Sequence, residues 1–93
     1  MRIVVISDKE NNIVDYEKRE KYLLYEVGGG QILSKKEVSN VSLEVDALIC
    51  NKMTKENLNF FRQHHITIFY QAQGDCDSAI HSLLVGQLGT PND

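Results

Sequence analysis

The sequence predicts an α/β fold around a largely parallel sheet, and two features of the chain support this prediction. The pattern of apolar and polar residues over residues 46–88 predicts a strand, a helix, a second strand and a second helix, with short turns between them. Helices that join consecutive strands imply parallel pairing, and parallel sheets tend to bind ligands at the edge where their strands end. In addition, the strand predicted at residues 2–6 carries four β-branched residues in a row, which is typical of a strand buried on both faces.

Two more strands are predicted before the middle of the chain. Residues 22–27 and 31–34 are short apolar runs separated by Gly28, Gly29 and Gly30. Glycine reaches positive φ at little cost, so the triple glycine favours a hairpin turn. A phosphate cradle would need a helix directly after the glycines, and the residues that follow look like a strand.

Two helices are indicated by their caps and by the spacing of their apolar residues. Thr54 is a good N-cap for a helix over residues 54–65. Asp75 caps the last helix, which can end at Gly86 or Gly89. The stripe of this last helix that is expected to be buried consists of Cys76, Ala79, Ile80, Leu83 and Leu84.

Length, charge and cysteine content narrow the function classes. The 93 residues make one domain, expected over residues 1–89, with a frayed tail at residues 90–93. The net charge of -3 is mild and the charges are interspersed, so no nucleic-acid partner is expected. No apolar run is long enough for a signal segment or a membrane span, which predicts a cytoplasmic protein without a membrane partner. The two cysteines, Cys50 and Cys76, lack zinc-type spacing and are expected to be reduced.

Cys50 is the residue best suited to bind a metal. It ends an apolar strand and precedes a turn that contains Lys52, whose ammonium group would lower the pKa of the thiol and favour the thiolate. Thiolate is a soft ligand for iron, copper and iron–sulfur species. The alternative is that Cys50 points into the core, as small thiols usually do. Asp8 follows the first strand and would lie on the same edge if the two strands are parallel neighbours.

Several strings follow a recognisable pattern along the chain. The first strand ends in a Ser-Asp loop at Asp8, the second strand reads Tyr-Leu-Leu-Tyr-Glu-Val over residues 22–27, and an Asp-x-x-Ile strand begins at Asp46. A final Gly-x-x-x-x-Ala-Ile/Leu-x-x-x-Leu-x-Gly-x-Leu pattern is matched by Gly74, Ala79, Ile80, Leu84, Gly86 and Leu88. In these features the chain resembles a shortened and divergent member of the dinitrogenase iron–molybdenum cofactor biosynthesis family, whose members are nitrogenase accessory factor-like proteins.

The resemblance implies a ribonuclease-H-like fold for the single domain. Its sheet would be mixed and five-stranded, with the order 3-2-1-4-5, an antiparallel strand 2 and two main helices. Residues 38–45 alone remain where the family has a loop and its usual first helix, so this helix is expected to be lost. Eight extended residues span at most about 27 Å, which is enough to cross two strands. One face of the sheet would then be under-covered and apolar, which makes it a candidate surface for a homodimer.

The resemblance also implies where a cofactor would bind. Tyr16 and Lys18 match the family's loop before the second strand, and Asn51 and Lys52 replace its glycine turn after the Asp-x-x-Ile strand. The candidate cofactor-binding residues are therefore Asp8, Tyr16, Lys18, Cys50, Asn51 and Lys52, with Cys50 as the candidate metal ligand. The implied cofactor is an iron–molybdenum or iron–sulfur cluster, and the implied partner is that cluster or a protein of cluster assembly.

The function implied by the resemblance is non-catalytic binding or carriage of a metal–sulfur cofactor, in the context of nitrogen fixation. The alternative is a degenerate interaction module that binds no cofactor and dimerises or docks on a partner. Ribonuclease-H chemistry would need clustered carboxylates for two metals. Only Asp8 and Asp46 are near suitable strands, and Asp46 lies at the wrong end of its strand. The chain is therefore not expected to be an enzyme.

Overall fold

The structure, a computed structural model, describes residues 1–86 and contains the predicted strands and helices in the predicted order. The elements are β1 (Arg2–Ser7), a 3₁₀ helix (Tyr16–Lys18), β2 (Lys21–Gly28), β3 (Gln31–Val38), β4 (Ala47–Ile49), α1 (Lys55–Gln63), β5 (Thr67–Phe69) and α2 (Cys76–Leu84). The predicted tail at residues 90–93 and the alternative helix end at Gly89 lie outside the described residues. In the described part of the chain, no helix is both long and apolar enough to span a membrane.

The five strands form one mixed sheet with the order β3-β2-β1-β4-β5. β2 runs antiparallel to β1, whereas β4 runs parallel to both β1 and β5. The register places Val4 of β1 between Leu24 of β2 and Leu48 of β4. The predicted strand order and the antiparallel second strand are confirmed, while the ribonuclease-H-like description stays a prediction.

The two helices pack on opposite faces of the sheet, so alternate residues of each strand enter separate cores. Ile3 and Val5 of β1 belong to the core beneath α2, whereas Val4 and Ile6 belong to the core beneath α1. The predicted stripe of α2 is buried or partly buried in the first core: Cys76, Ala79, Ile80, Leu83 and Leu84. Phe61 of α1 closes the second core. β1 is thus buried on both faces, as its continuous β-branched run predicts.

Both helices begin at the predicted caps. Asn57 N donates a hydrogen bond to Thr54 Oγ1 at 3.3 Å, and Ser78 N donates one to Asp75 Oδ2 at 3.0 Å. Each bond satisfies a backbone N–H that the first turn of a helix leaves without a partner. Gly86, with a φ of 76°, follows the end of α2, so the nearer of the two predicted glycines terminates it.

β2 and β3 form the predicted hairpin, although β3 extends further than the sequence indicates. Gly29 and Gly30 occupy the turn with φ angles of 60° and 76°, where glycine is favoured. A register shift beside Val27 inserts Leu33 as an extra residue of β3, and Leu33 is 63% exposed. β3 is an outer strand of the sheet, and such a bulge protects an outer strand from pairing with another chain.

The connection from β3 to β4 crosses the sheet without a helix, as its length predicts. Arg2 N donates to Asp46 Oδ2 at 2.8 Å, and Asp46 N donates to Arg2 O at 2.9 Å. These two bonds fix the start of β4 beside β1. Along the way, Val41 and Val45 pack onto the core beneath α1.

α1 leaves part of its face of the sheet uncovered, over β2 and β3, and this part is not the apolar surface that the sequence predicts. A groove of about 350 Å³ there is lined by Arg2, Leu24, Glu26, Ser34 and Lys36. Leu24 is partly buried and is the one apolar side chain of this lining. The expectation of an apolar face is therefore wrong, because β3 turns charged and hydroxyl side chains toward this side.

Candidate functional site

The loops after β1, β4 and β5 meet at one edge of the sheet, which is where parallel sheets tend to bind ligands. Tyr16 N donates a hydrogen bond to Lys52 O at 2.8 Å, which joins the loop after β1 to the turn after β4. Ala72 N donates to Cys50 O at 3.2 Å, which joins this turn to the loop after β5. The six candidate residues all lie in the first two loops, so the structure brings them to one edge.

Asp8 closes its own loop. Its Oδ1 accepts hydrogen bonds from Glu10 N and Asn12 N, each at 2.9 Å. The bond from the backbone of Asn12 is the main cause that lowers the pKa of the Asp8 carboxyl. The carboxylate therefore has a structural role in a turn in which its side chain replaces a backbone acceptor.

Tyr16 lies in the 3₁₀ helix and packs its ring against α1. Its ring meets the ring of Phe61 nearly edge to face, with centroids 5.7 Å apart. Burial, together with a hydrogen bond to Tyr22, raises the pKa of Tyr16 to about 12. Tyr16 is therefore a protonated hydrogen-bonding group at neutral pH and not a base.

Lys18 and Lys52 are the exposed cations of the candidate site. Lys18 Nζ lies 3.9 Å from Asp15 Oδ2, a loose contact between side chains that are mostly or partly exposed. Exposed ion pairs of this kind contribute little to stability. Both ammonium groups are thus available for an external anion.

Cys50 lies in the core beneath α1 and is fully buried. Burial raises the pKa of its thiol to about 12, and the negative charges of Glu17 and Asp15 add to this rise. The expectation that Lys52 lowers this pKa is therefore wrong, because the Lys52 side chain is exposed while the thiol is enclosed. The alternative interpretation of the sequence, in which this small thiol points into the core, agrees with the position of Cys50.

Asn51 connects the three loops through its backbone. Its N–H donates to Val14 O at 3.1 Å, and its carbonyl oxygen accepts a hydrogen bond from Gln71 N. Its side chain is partly exposed at the edge. The other cysteine, Cys76, is buried in the opposite core, and both thiols are free, as the sequence predicts.

The donor groups at this edge do not fit direct coordination of a metal cluster. Within residues 1–86, no group of three or more His, Cys, Asp or Glu residues could hold a metal ion. The thiolate is the form of cysteine that binds metals, and the raised pKa of Cys50 keeps its thiol protonated at neutral pH. Coordination by Cys50 stays a prediction of the sequence that this geometry does not support.

Glu17 ties the 3₁₀ helix to α1, which the sequence did not predict. Its Oε1 accepts hydrogen bonds from Thr54 N at 3.1 Å and from Asn57 Nδ2 at 3.4 Å. Slight burial opposes ionisation, but these bonds outweigh it and lower the pKa of Glu17. The first turn of α1 thus holds the loop that carries Tyr16 and Lys18.

The substitution Glu17→Gln is expected to lower the free energy of unfolding by about 0.5–1.5 kcal/mol, because it weakens a charged cap. The pKa of Glu17 is lowered in the folded state, so this contribution is present above the ordinary pKa and is lost as the pH falls through the folded value. Urea unfolding at neutral and acid pH measures the loss, with the exposed Glu10→Gln as the control. Equal effects of the two substitutions would contradict the capping role.

A second polar network joins α2 to the β2–β3 hairpin. Tyr25 Oη donates to Asp77 Oδ1, and Lys35 Nζ lies 2.8 Å from the same oxygen. Lys35, followed by Tyr25, lowers the pKa of the Asp77 carboxyl, and His81 adds a smaller electrostatic effect. His81 lies four residues after Asp77, so the sequence by itself suggests a contact between these two on the surface of α2. A buried tyrosine in a strand needs a partner for its hydroxyl, and this is the one signal that could have pointed to the network.

Solved structures of other proteins share this fold over nearly the whole chain. A solution structure from Methanococcus jannaschii, described as a "putative dinitrogenase", has a TM-score of 0.82 and 23% identity, and the match covers 100% of this chain and 94% of that chain. A crystal structure of the same protein, with the organism given as Methanocaldococcus jannaschii, has a TM-score of 0.79 and 25% identity over 96% of this chain and 92% of that chain. A "putative NifB protein" from Thermotoga has a TM-score of 0.65 and 13% identity over 92% of this chain and 89% of that chain.

These neighbours define the class of the protein as a small α/β domain with the fold of dinitrogenase-related proteins. They confirm, at the level of the fold, the predicted resemblance to the dinitrogenase cofactor biosynthesis family. No family model and no curated protein matches the chain.

Proposed function

We propose that this chain is a non-catalytic binding or carrier protein for a metal–sulfur cofactor, related to the proteins of nitrogenase cofactor assembly. The observation that carries the proposal is the fold that it shares, at 25% identity over 96% of the chain, with a structure described as a "putative dinitrogenase". The candidate residues lie together at one edge of the sheet, which supports this edge as the binding site. Asp8 and Glu17, two carboxylates of the loop after β1, accept hydrogen bonds from backbone N–H groups, which favours binding over acid–base catalysis.

The mode of binding is proposed from the groups that the edge exposes. Lys18 and Lys52 present ammonium groups to solvent, and the side chain of Asn51, the residue before Lys52, is partly exposed. Hydrogen bonds to the sulfur atoms tune metal–sulfur clusters, in addition to the thiolates that coordinate the metal. A cluster that arrives with its own ligands would therefore be held by charge and hydrogen bonds. This mode needs no thiolate from the chain and agrees with the buried position of Cys50.

Anaerobic incubation with a preformed iron–sulfur or iron–molybdenum–sulfur cluster tests the proposal. The wild-type protein is expected to keep the cluster's visible absorbance and metal content after desalting. Cys50→Ala is expected to keep as much as the wild type, whereas the double variant Lys18→Gln/Lys52→Gln keeps much less. Arg2→Gln/Lys36→Gln removes the same charge from residues that line the groove over β2 and β3 and serves as the control.

Each outcome of this experiment has a defined meaning. A wild-type protein that retains no cluster would overturn the carrier function. Retention that is lost in Cys50→Ala, with circular dichroism unchanged, would instead show coordination by the thiol and overturn the proposed mode. If the two double variants lost equal amounts of cluster, the binding would be a non-specific attraction to positive charge.

The alternative, an interaction module that binds no cofactor and dimerises or docks on a partner, stays a prediction of the sequence. The feature that favours it is the groove of about 350 Å³ over β2 and β3, on the part of the α1 face that this helix leaves uncovered. Sedimentation at micromolar concentration separates the two functions. A dimer that takes up no cluster supports the module, and a monomer that takes up a cluster supports the carrier.

A further inference from the structure

Arg19 is held in one orientation although it lies on the surface. Its guanidinium carbon lies 4.4 Å from the centroid of the Tyr16 ring and 5.4 Å from that of the Tyr22 ring. Its Nη1 also donates a hydrogen bond to Tyr16 O at 2.8 Å. A guanidinium group that stacks on aromatic rings loses less entropy when it binds an anion, because it is already oriented.

The described part of the chain provides no carboxylate within ion-pair distance of Arg19. The five ion pairs of residues 1–86 involve Arg2, Lys9, Lys18 and Lys35 as their cations. Arg19 instead lines an open cavity of about 340 Å³. An oriented arginine that stacks on two rings without a carboxylate partner is a typical element of an anion-binding site.

The remaining lining of this cavity defines what it can hold. Residues 19–22 form one side, and residues 37–39 at the end of β3 form the other. Ser39 and Tyr22 add hydroxyl groups that can donate hydrogen bonds. Lys21 precedes Tyr22 in β2, so its side chain lies on the opposite face of the sheet from the stacked Arg19. The donors therefore come from two segments of the chain and suit a ligand with oxygen atoms in several directions.

Two glutamates limit the size of the ligand. Glu20 also lines the cavity, but its carboxylate lies 3.7 Å from Lys9 Nζ, which offsets its charge. Glu37 lines the opposite side. These carboxylates repel a long polyanion such as a nucleic acid more strongly than a small anion, which carries less charge.

We infer that Arg19 and Ser39 form a binding site for a small tetrahedral oxyanion of the phosphate or sulfate type. The site uses different side chains from the lysines proposed to hold a cluster, so it does not rest on that function. The oriented guanidinium group supplies two parallel N–H donors to two oxygens, and Ser39 supplies a donor to a third.

Titration with inorganic phosphate and with sulfate, followed by amide NMR at constant ionic strength, tests this site. The resonances of residues 19–22 and 37–39 are expected to shift together and to saturate. Arg19→Gln is expected to weaken binding at least about tenfold, the loss typical of one charged hydrogen-bond pair. Arg19→Lys keeps the charge without the two-pronged donor and is expected to give an intermediate loss.

Lys36→Gln is the matched control, because it removes one positive charge from β3 at a position that lines the other groove. It is expected to change the affinity less than about twofold, as for a distant exposed charge. Resonance shifts of equal size at lysines throughout the chain would overturn the site. Equal affinities of Arg19→Gln and the wild type for phosphate would also overturn it. Tighter binding of the dicarboxylate succinate than of phosphate would overturn its assignment to a tetrahedral ligand. Cluster uptake is measured separately, so either proposal can fail alone.

Discussion

Replacing Phe61 with alanine is expected to lower the free energy of unfolding by about 3–5 kcal/mol, the range for truncating a buried phenylalanine. Phe61 is 4% exposed and is the residue of α1 that is buried in the core beneath this helix. Its ring meets that of Tyr16 with a centroid distance of 5.7 Å, so the substitution also removes the support of the candidate site. A domain of this size has a total stability of about 5–15 kcal/mol, so a large part would be lost.

The neighbouring Phe60 offers a matched control for this prediction. It is 47% exposed, and its ring lies 5.3 Å from the Phe61 ring on the outer side of α1. Phe60→Ala makes the same chemical change in the same helix and is expected to cost less than about 1 kcal/mol. Urea unfolding of the wild type and both variants measures the difference. Similar losses for the two variants would show that α1 does not pack on the sheet as described.

The sheet and the helices could be predicted because their signals are local or follow from chain length. The β-branched run of β1 indicates burial on both faces, and the caps Thr54 and Asp75 mark the starts of the helices within the chain itself. The missing crossover helix follows from the few residues between β3 and β4. The strand order came from resemblance to a family and not from periodicity, because alternation of apolar residues does not specify which strands are neighbours.

The polarity of the uncovered part of the sheet, over β2 and β3, was predicted wrongly for a related reason. Whether a strand face is apolar depends on which residues of β3 point to it, and the bulge at Leu33 changes this alternation. A one-residue shift in register moves every later side chain to the other face. The sequence of β3 therefore does not show which of its residues, Lys36 or Lys35, faces the groove.

The contacts of the candidate site, and those of the network around Asp77, join residues that are far apart in the chain. Asp77 is separated by 42 residues from Lys35 and by 52 from Tyr25. Glu17 is separated by 37 residues from Thr54, whose backbone it caps. No local pattern marks such pairs. A pKa likewise depends on tertiary burial, which is why the neighbouring Lys52 was a poor guide to Cys50.

Alkaline pH is expected to destabilise the protein from about pH 9 upward, because the buried Cys50 holds its proton. Its pKa rises from the ordinary value of 9.0 to about 12 on folding, which corresponds to about 4 kcal/mol. The folded value lies above the unfolded one, so this contribution is complete below about pH 9 and is lost as the pH rises toward 12. Burial also raises the pKa of Tyr16 from 10.0 to about 12 and raises that of Tyr25, so the tyrosines add to the loss above about pH 10.

Urea unfolding at a series of pH values measures this loss, and Cys50→Ala separates the thiol from the tyrosines. The variant is expected to be somewhat less stable at neutral pH, because a buried sulfur atom is removed. Its free energy of unfolding is then expected to fall less steeply than that of the wild type between about pH 9 and pH 10, where the unfolded thiol ionises. Parallel pH dependences of the two proteins would contradict the raised pKa of Cys50.

The ultraviolet absorbance of the thiolate provides a direct reading of the same residue. In Cys76→Ala, Cys50 is the one remaining thiol of the sequence, so the difference in absorbance from Cys50→Ala/Cys76→Ala, which cancels the ionised tyrosines, reports its ionisation. No thiolate is expected to form near pH 9 until the protein unfolds, because burial disfavours the charged form. A thiolate in the folded protein at neutral pH would instead make Cys50 available as a soft metal ligand. This titration therefore tests whether Cys50 can serve as a metal ligand, or whether the proposed cluster would have to be held by the charged residues of the sheet edge.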